Sequence, residues 1–275
     1  LIKEIKNKNY DLIEIHNRPL ILFNLLGKIK GRFILYFHND PLSMKGSSSI
    51  KDRLKILKNV EKIIFVSEWT RERFFLDIDQ KLQTKTEVVY PSVNKQKKTK
   101  KKQVIVFVGK LNHSKGYDIF GEAIIKILNK FPKWNAISIG EEERRSIYIN
   151  HKNHKELGFL NHKKTLKLLN ESEIAVVPSR WEEPFGRTSL EATSRGCVTI
   201  ISNRGGLKET TDNAIILKKL DSLSLYKELY KLIKKPLLRK NIQEKSRNDV
   251  KHLILDNTKI IDQIRERCIP TFSLN

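Results

Sequence analysis

Short apolar runs alternate with amphipathic segments along most of this chain, and no other feature constrains its fold as much. Phe33–His38 (FILYFH) and Val104–Val108 (VIVFV) lack the polar residue at every second position that a sheet with one wet face shows, so both of their faces must be covered. Doubly buried strands alternating with helices predict a parallel α/β sheet. In the first half, strands are expected at Asp11–His16, Phe33–His38, Lys62–Val66 and Glu87–Tyr90. Helices are expected at Pro19–Ile29 and Ser49–Asn59, and Ser67 is expected to cap a third. The pattern then restarts, with strands at Val104–Val108, Asn135–Ile139, Ile174–Pro178, Val198–Ser202 and Ile215–Leu217. Its helices are expected at Tyr117–Lys130, Glu141–Asn150, His162–Ser172 and Gly186–Arg195, and throughout from Ser222.

Between the halves lies Lys95–Lys102 (KQKKTKKK), with six lysines in eight residues. Like charges at that density repel and stay solvated, which reads as a linker. A nucleic-acid arm is the sharper alternative, but no aromatic residue is interleaved for base stacking. The expected organisation is two Rossmann-like domains, residues 1–94 and 103–250, joined by the linker 95–102, with a cleft between them and a helical segment at 251–275. In such sheets ligands lie beyond the carboxyl ends of the strands.

Charge is the remaining global constraint. The 275 residues carry 54 Lys+Arg against 31 Asp+Glu, a formal net charge of +23. That permits a polyanion partner, so a basic nucleic-acid-binding protein is one alternative function. The chain is also rich in Lys, Ile and Asn throughout, as an AT-rich coding sequence produces. On that reading most of the charge is compositional and no nucleic-acid partner is expected. With 39% hydrophobic residues, disorder of the whole chain is excluded. Cys197 and Cys268 have no CxxC partner, which fits a reduced, cytoplasmic chain. No apolar run reaches the ~18–20 residues of a membrane helix. Leu20–Leu26 comes nearest, but it contains Asn24 and is closed by Lys28, Lys30 and Arg32. The chain opens at Leu1 and Leu1–Lys8 already reads as helix, so an earlier piece is expected to be missing. Residues 218–251 hold 11 Lys/Arg against 4 Asp/Glu, either a solvated helix face or a peripheral contact with anionic membrane.

Three loops carry candidate chemistry. In Phe107-Val108-Gly109-Lys110-Leu111, followed by Lys115-Gly116, a buried strand runs through a glycine into a loop with two lysines and then a helix. Gly109 allows close approach of a ligand. Lys110 and Lys115 sit where anions commonly bind, and point charges of that kind suit a phosphate. The alternative is a solvated loop of a basic protein. In Pro178–Ala192 (PSRWEEPFGRTSLEA), Glu183 and Glu191 would stand about 80° apart on one continuous helix, at 100° per residue. Pro184 makes Glu183 extended and Gly186 opens the helix, so the two carboxylates flank a helix start. The free amides of Gly186, Arg187 and Thr188 lie between them, suited to an anionic leaving group. The alternative is a carboxylate that merely favours the helix dipole. Ser202–Glu209, with paired glycines 205 and 206, is either a third close-approach loop or a tight turn.

FVGKLNHSKG, PSRWEEPFGRTSLEATSRG and TIISNRGGLKE, in this order and spacing, resemble the carboxyl-terminal domain of family 4 glycosyltransferases. These are retaining enzymes of the GT-B fold that use nucleotide sugars. IEIHNRP, LYFHNDPLSM, FVSEWTRERF and VVYPSVN are more loosely similar to their amino-terminal domain. The resemblance implies that Lys110, where the family usually has Arg, and Lys115 bind the donor diphosphate. It implies that Glu183 holds donor-sugar hydroxyls, Glu191 the ribose, and Phe159 and Leu160 the base. Gly109 is implied in the donor loop, and the amides of Gly186, Arg187 and Thr188 in neutralising the leaving phosphates. His38, at the end of FILYFH, matches the family's histidine facing the donor sugar and reaction centre.

The implied reaction is sugar transfer with retention from a UDP, GDP or ADP sugar to a hydroxyl of a glycan or lipid-linked acceptor. The products would serve cell-surface polysaccharide, lipopolysaccharide or glycolipid synthesis. No cofactor or metal is implied. Asp77-Ile78-Asp79 has the spacing of a metal-binding Asp-x-Asp, but it lies outside the donor motifs. The family's first strand and glycine-rich loop have no counterpart before Asp11, so the first domain is expected to be truncated. The last helix is expected to cross back to it. A non-catalytic scaffold of the same fold is the other alternative.

Overall fold

The computed structural model describes residues 8, 10–94, 98–144 and 147–269. The expected helix at Leu1–Lys8, apart from Lys8, and the first three residues of the lysine block lie outside them. The chain divides into two compact units, residues 1–91 with 254–275, and residues 92–253.

The elements run in chain order. The first unit opens with β1 (Leu12–His16), α1 (Pro19–Leu25), β2 (Arg32–Phe37), α2 (Ile50–Asn59), β3 (Lys62–Phe65), α3 (Glu68–Phe74) and β4 (Thr86–Val88). The second unit contains β5 (Lys102–Val108), α4 (Tyr117–Lys130), β6 (Asn135–Ile139), β7 (His154–Glu156), α5 (His162–Glu171), β8 (Ser172–Val177) and α6 (Arg187–Ser194). It continues through β9 (Val198–Ile201), β10 (Ile215–Ile216), α7 (Ser222–Lys234) and α8 (Pro236–Asn248). Helix α9 (Ile254–Cys268) returns to the first unit. Each unit has one parallel sheet, ordered β1-β2-β3-β4 in the first and β10-β9-β8-β5-β6-β7 in the second.

The uninterrupted apolar run of β2 is explained by what covers it. Phe33, Leu35 and Phe37 pack with Leu22, Ile56, Phe65 and Phe74 on one face. Ile34 and Tyr36 project to the other, where Ile64, Val89 and two residues of α9, Ile264 and Cys268, enclose them. Helix α9 therefore supplies the second cover that a parallel sheet needs. Arg265 of α9 holds Glu14 of β1 through both oxygens, at 2.9 Å from Nε and 2.9 Å from Nη2. That clamp keeps the Glu14 carboxyl below its usual range. Its contribution to stability is present above the ordinary carboxylate pKa and is lost as the pH falls through the lowered one.

In the second unit, Ile105 and Phe107 of β5 face α4 and α7 through Tyr117, Phe120, Ile124, Leu225 and Leu229. Val106 and Ala175 face Leu169, Ala192 and Cys197 on the opposite side. Two expectations fail here. The expected helix at Glu141–Asn150 does not form among the described residues; the segment leaves Gly140 irregularly and inserts Ile149 into the α4 core. It delivers β7, where His154 Nε2 lies 2.9 Å from Ser138 Oγ. The helix from Ser222 is divided at Lys235, because Pro236 disfavours helix in the residue before it. A second break at residues 249–253 precedes α9, with Leu253 bridged to Val93.

In the described part of the lysine block, Lys98, Lys100 and Lys102 are exposed, whereas Thr99 and Lys101 are half-buried. Thr99 Oγ1 donates to Asn170 O at 2.9 Å, and Lys102 pairs with Glu171 at 2.5 Å. Lys101 Nζ donates to Arg195 O at 2.7 Å and to Leu169 O at 3.3 Å. Desolvation there pushes its ammonium below the ordinary lysine pKa. For Lys101 the two carbonyl acceptors take the place of solvent.

The α9 cover yields a stability prediction. Ile264 is fully buried, whereas Ile260 on the same helix is 41% exposed. Urea unfolding should show Ile264→Ala costing about 2–4 kcal/mol and Ile260→Ala within about 0.5 kcal/mol of the parent.

Candidate active site

The site of the second unit is assembled where β5, β6 and β8 end. Gly109 follows β5 with φ +155° and donates its N–H to Ile139 O at 3.0 Å. Gly140 follows β6 with φ +138°, and a Cβ there would sit 1.9 Å from Gly109 O. The two loop backbones therefore touch, which only glycine permits at that point. Beside them Leu111, Gly140, Glu141, Glu142, Glu156 and Gly158 line a cavity of about 370 Å³.

Asn112 shapes the loop after β5. Its Oδ1 accepts the Lys115 N–H at 3.1 Å, capping a 3-10 turn over His113–Lys115, and its Nδ2 donates to Glu142 at 2.6 Å. The turn is tied to the loop after β8 through Ser114 O, which accepts the N–H groups of Arg180 at 2.9 Å and Trp181 at 3.0 Å. Arg180 is in turn held by both oxygens of Asp118, each at 2.7 Å. Burial raises the Asp118 pKa, but the guanidinium outweighs it and leaves the carboxyl below its usual range.

These ties bring Lys115 and Glu183 together. Lys115 Nζ donates to Glu183 Oε1 at 2.6 Å, and Ser179 Oγ donates to the same oxygen at 2.9 Å. The two charged side chains are 28% and 14% exposed, so the pair is only partly solvated. The main chain of Glu183 is held as closely. Its carbonyl accepts the Gly206 N–H at 2.7 Å, and a Cβ on Gly205 would lie 2.1 Å from that carbonyl oxygen. The paired-glycine loop is thus a close-approach loop whose partner is the backbone of Glu183.

Gly186, with φ +104°, opens α6, so the N–H groups of Arg187 and Thr188 precede any helical acceptor. Glu191 lies one turn inside, where its Oε1 accepts from His162 Nε2 at 2.9 Å and, more weakly, from Arg187 at 3.5 Å. Lys110 is exposed and makes no ion pair among the described residues. It acts on half-buried Glu142, whose pKa is lowered first by the Asn112 hydrogen bond and also by the Lys110 charge. Phe159 is 74% exposed, with its N–H held by Glu141 Oε1 at 2.9 Å, while Leu160 packs against the core beside Val106.

In the first unit His38 follows β2 directly. Its ring Nε2 lies 3.0 Å from His16 Nδ1, and its N–H is held by Asn17 Oδ1 at 3.3 Å. Asp77 and Asp79 have structural duties: Asp77 takes a left-handed turn at φ +61°, and Asp79 Oδ1 caps a 3-10 turn through Lys81 N at 2.9 Å. Groups of three or more His, Cys, Asp and Glu able to hold a metal are absent among the described residues. Ser179, His162 and His16 carry no signal in the sequence that marks them as partners of these groups. Asn112 carries a weak one, as a helix-capping residue three positions before Lys115.

Residues 91–249, which contain every one of these second-unit groups, match the family model described as Glycosyl transferases group 1. The chain is 25% identical over 266 residues to spore coat protein SA of Bacillus subtilis, covering 82% of this chain and 69% of that protein. It is 23% identical over 286 residues to the putative glycosyltransferase YtcC of Bacillus subtilis, covering 91% and 70%. Among solved structures, Anabaena Alr3699/HepE in complex with UDP superposes with a TM-score of 0.77 at 17% identity, covering 96% of this chain and 80% of that one. With two parallel α/β units of the GT-B fold and a family match over more than half its length, the chain belongs to the glycosyl transferases group 1 family.

Proposed function

We propose that this glycosyltransferase moves a sugar, with retention, from a nucleotide-sugar donor to a hydroxyl of a glycan or lipid-linked acceptor used in cell-surface polysaccharide, lipopolysaccharide or glycolipid synthesis. The observation that carries the reading is the Lys115–Glu183–Ser179 cluster, held in place by the Glu183–Gly206 backbone bond. It sets an ammonium and a half-buried carboxylate where β5 and β8 end, with the amino end of α6 following directly. An ammonium suits the diphosphate, and a carboxylate beside it suits the hydroxyls of the attached sugar.

In this reading Lys110, Lys115 and the amides of Gly186, Arg187 and Thr188 neutralise the diphosphate, and Gly109 lets it approach the backbone. Glu183 accepts from donor-sugar hydroxyls, Glu191 from the ribose, and Phe159 and Leu160 flank the base. His38 faces the sugar and reaction centre. The bond from the anomeric carbon to the phosphate oxygen breaks through an oxocarbenium-like state. The acceptor oxygen bonds the same face, and its proton leaves with the phosphate. Negative charge grows on the leaving diphosphate, and fixed cations and amide dipoles stabilise it without reorganising. They take the part that a divalent cation takes in metal-dependent transferases. The likeness to a protein solved with UDP supports a uridine nucleotide as the first donor to test. Exposed Lys231, Lys234, Lys235 and Lys240, around a Leu237 that is 82% exposed, support contact with an anionic membrane, at about 1 kcal/mol per lysine near the surface.

A thermal-shift series with UDP, GDP and ADP sugars tests the donor. The correct one, at 100 times its Kd, adds about 2.7 kcal/mol of stability, and a flat response to all three sinks the reading. Glu183→Ala should lower turnover at least about 100-fold, and Lys115→Ala about 100- to 1,000-fold, while the unfolding midpoint stays close to the parent's. A fully active Glu183→Ala protein would identify a scaffold instead of an enzyme. Gly205→Ala, whose Cβ would displace the Glu183 carbonyl, is expected to lose about 1–3 kcal/mol of stability and to raise the KM for donor.

A further inference from the structure

Three rings are stacked at the carboxyl edge of the first sheet. The parallel register places His16 opposite Tyr36, and His38, two residues further on, falls on the face of Tyr36. His16 stacks on Tyr36 at 4.2 Å between centroids and 13° between planes. Its ring is also within 7° of parallel to that of His38, and Nδ1 meets His38 Nε2 at 3.0 Å. Tyr36 is itself fixed, because its hydroxyl donates to Glu14 Oε1 at 2.8 Å and Arg265 holds both oxygens of Glu14. From the other side, Asn17, in a left-handed turn at φ +57°, accepts the N–H groups of His38 and Asn39 at 3.3 and 3.2 Å. His16 has no part in the donor reading above.

We propose that His16 is a positioning residue for His38, committing His38 Nε2 to a ring–ring hydrogen bond so that Nδ1 is the nitrogen presented to substrate. The proposal rests on the reading above that His38 faces the donor sugar. One proton lies between the two facing nitrogens, so whichever ring donates, the other accepts. A second proton on that N···N contact would set two N–H groups against each other, and two imidazoliums would repel. The pair thus stays intact while it carries at most one positive charge, and it opens when both rings are protonated.

The charged and titratable groups around it are few. Glu14 on β1 and Tyr36 on β2 are tied to each other and to Arg265 of α9. Asp40, in the loop after β2, is engaged by Arg73 of α3 at 3.0 Å. The charged neighbour that acts on His38 is His16. Desolvation first, and then the His16 charge, hold the His38 imidazolium below the usual histidine range.

Two substitutions separate the parts of the contact. His16→Phe keeps a flat ring on Tyr36 and deletes the hydrogen bond. His16→Asn places an amide near the Nδ1 position, keeping a hydrogen bond without a titrating charge. Side-chain nitrogen NMR of the full chain, with no donor present, should show the parent's His38 in one preferred tautomer, with its protonation held below the usual histidine range. In His16→Phe, His38 should titrate in a single step at higher pH and lose its tautomer preference, whereas His16→Asn should keep the tautomer. With UDP-glucose as probe, His16→Phe should lower kcat about 10- to 100-fold with little change in KM. The acid limb of its kcat profile should move to higher pH, since a raised His38 pKa must be exceeded before the neutral ring can meet the donor sugar through Nδ1. His16→Asn should recover most of kcat. An unchanged His38 titration in His16→Phe overturns the proposal, and so does an unmoved acid limb. If His16→Phe does not fold, the same two readouts in His16→Asn decide it. A parent chain that binds none of the nucleotide sugars overturns the functional reading instead, and the donor-free titration tells the two failures apart.

Discussion

Parallel pairing of β5 with β8 is the constraint on which the donor-side geometry depends. Parallel strands send all their following loops to one edge, so the loops carrying Lys115 and Glu183 emerge side by side although 68 residues separate them. Convergence alone leaves the loops free to splay. Main-chain contacts hold them: Gly109 against Ile139, Ser114 against Arg180 and Trp181, and Glu183 against Gly206. Each is a backbone amide on a carbonyl, so the side chains are carried on backbone that has little room to move.

The first unit solves a related problem with its last helix. A parallel sheet needs a cover on both faces, and α9 provides the second one over Ile34, Tyr36 and Ile64. Through Arg265, Glu14 and Tyr36 the same helix also steadies the ring against which His16 lies. Packing and site geometry are thus coupled in one short chain of contacts.

Charge proved a poor guide taken in bulk and a good one taken by residue. A net of +23 permits many partners, and most of its lysines are exposed. Lys101, inside a block whose composition reads as solvated, is instead desolvated on the carbonyls of Leu169 and Arg195. Lys115 shares a carboxylate with a serine. Composition records how many charges there are, but burial and acceptors decide what each one does.

Hydrophobic patterning and motif order were enough to read the parallel class, the strands around FILYFH and VIVFV, and the loops around Gly109 and Glu183, because these are properties of neighbouring residues. The same patterning misled at Glu141–Asn150, where a helix-favouring acidic run yields to the insertion of Ile149 into a distant core. It was silent on His16, Ser179 and His162, whose partners lie 22, 4 and 29 residues away. Local patterning was sufficient for the two sheets and for the loops at their carboxyl ends. Which atoms meet there follows from the folded chain, because register and close backbone approach, unlike periodicity, are set by residues far apart in the chain.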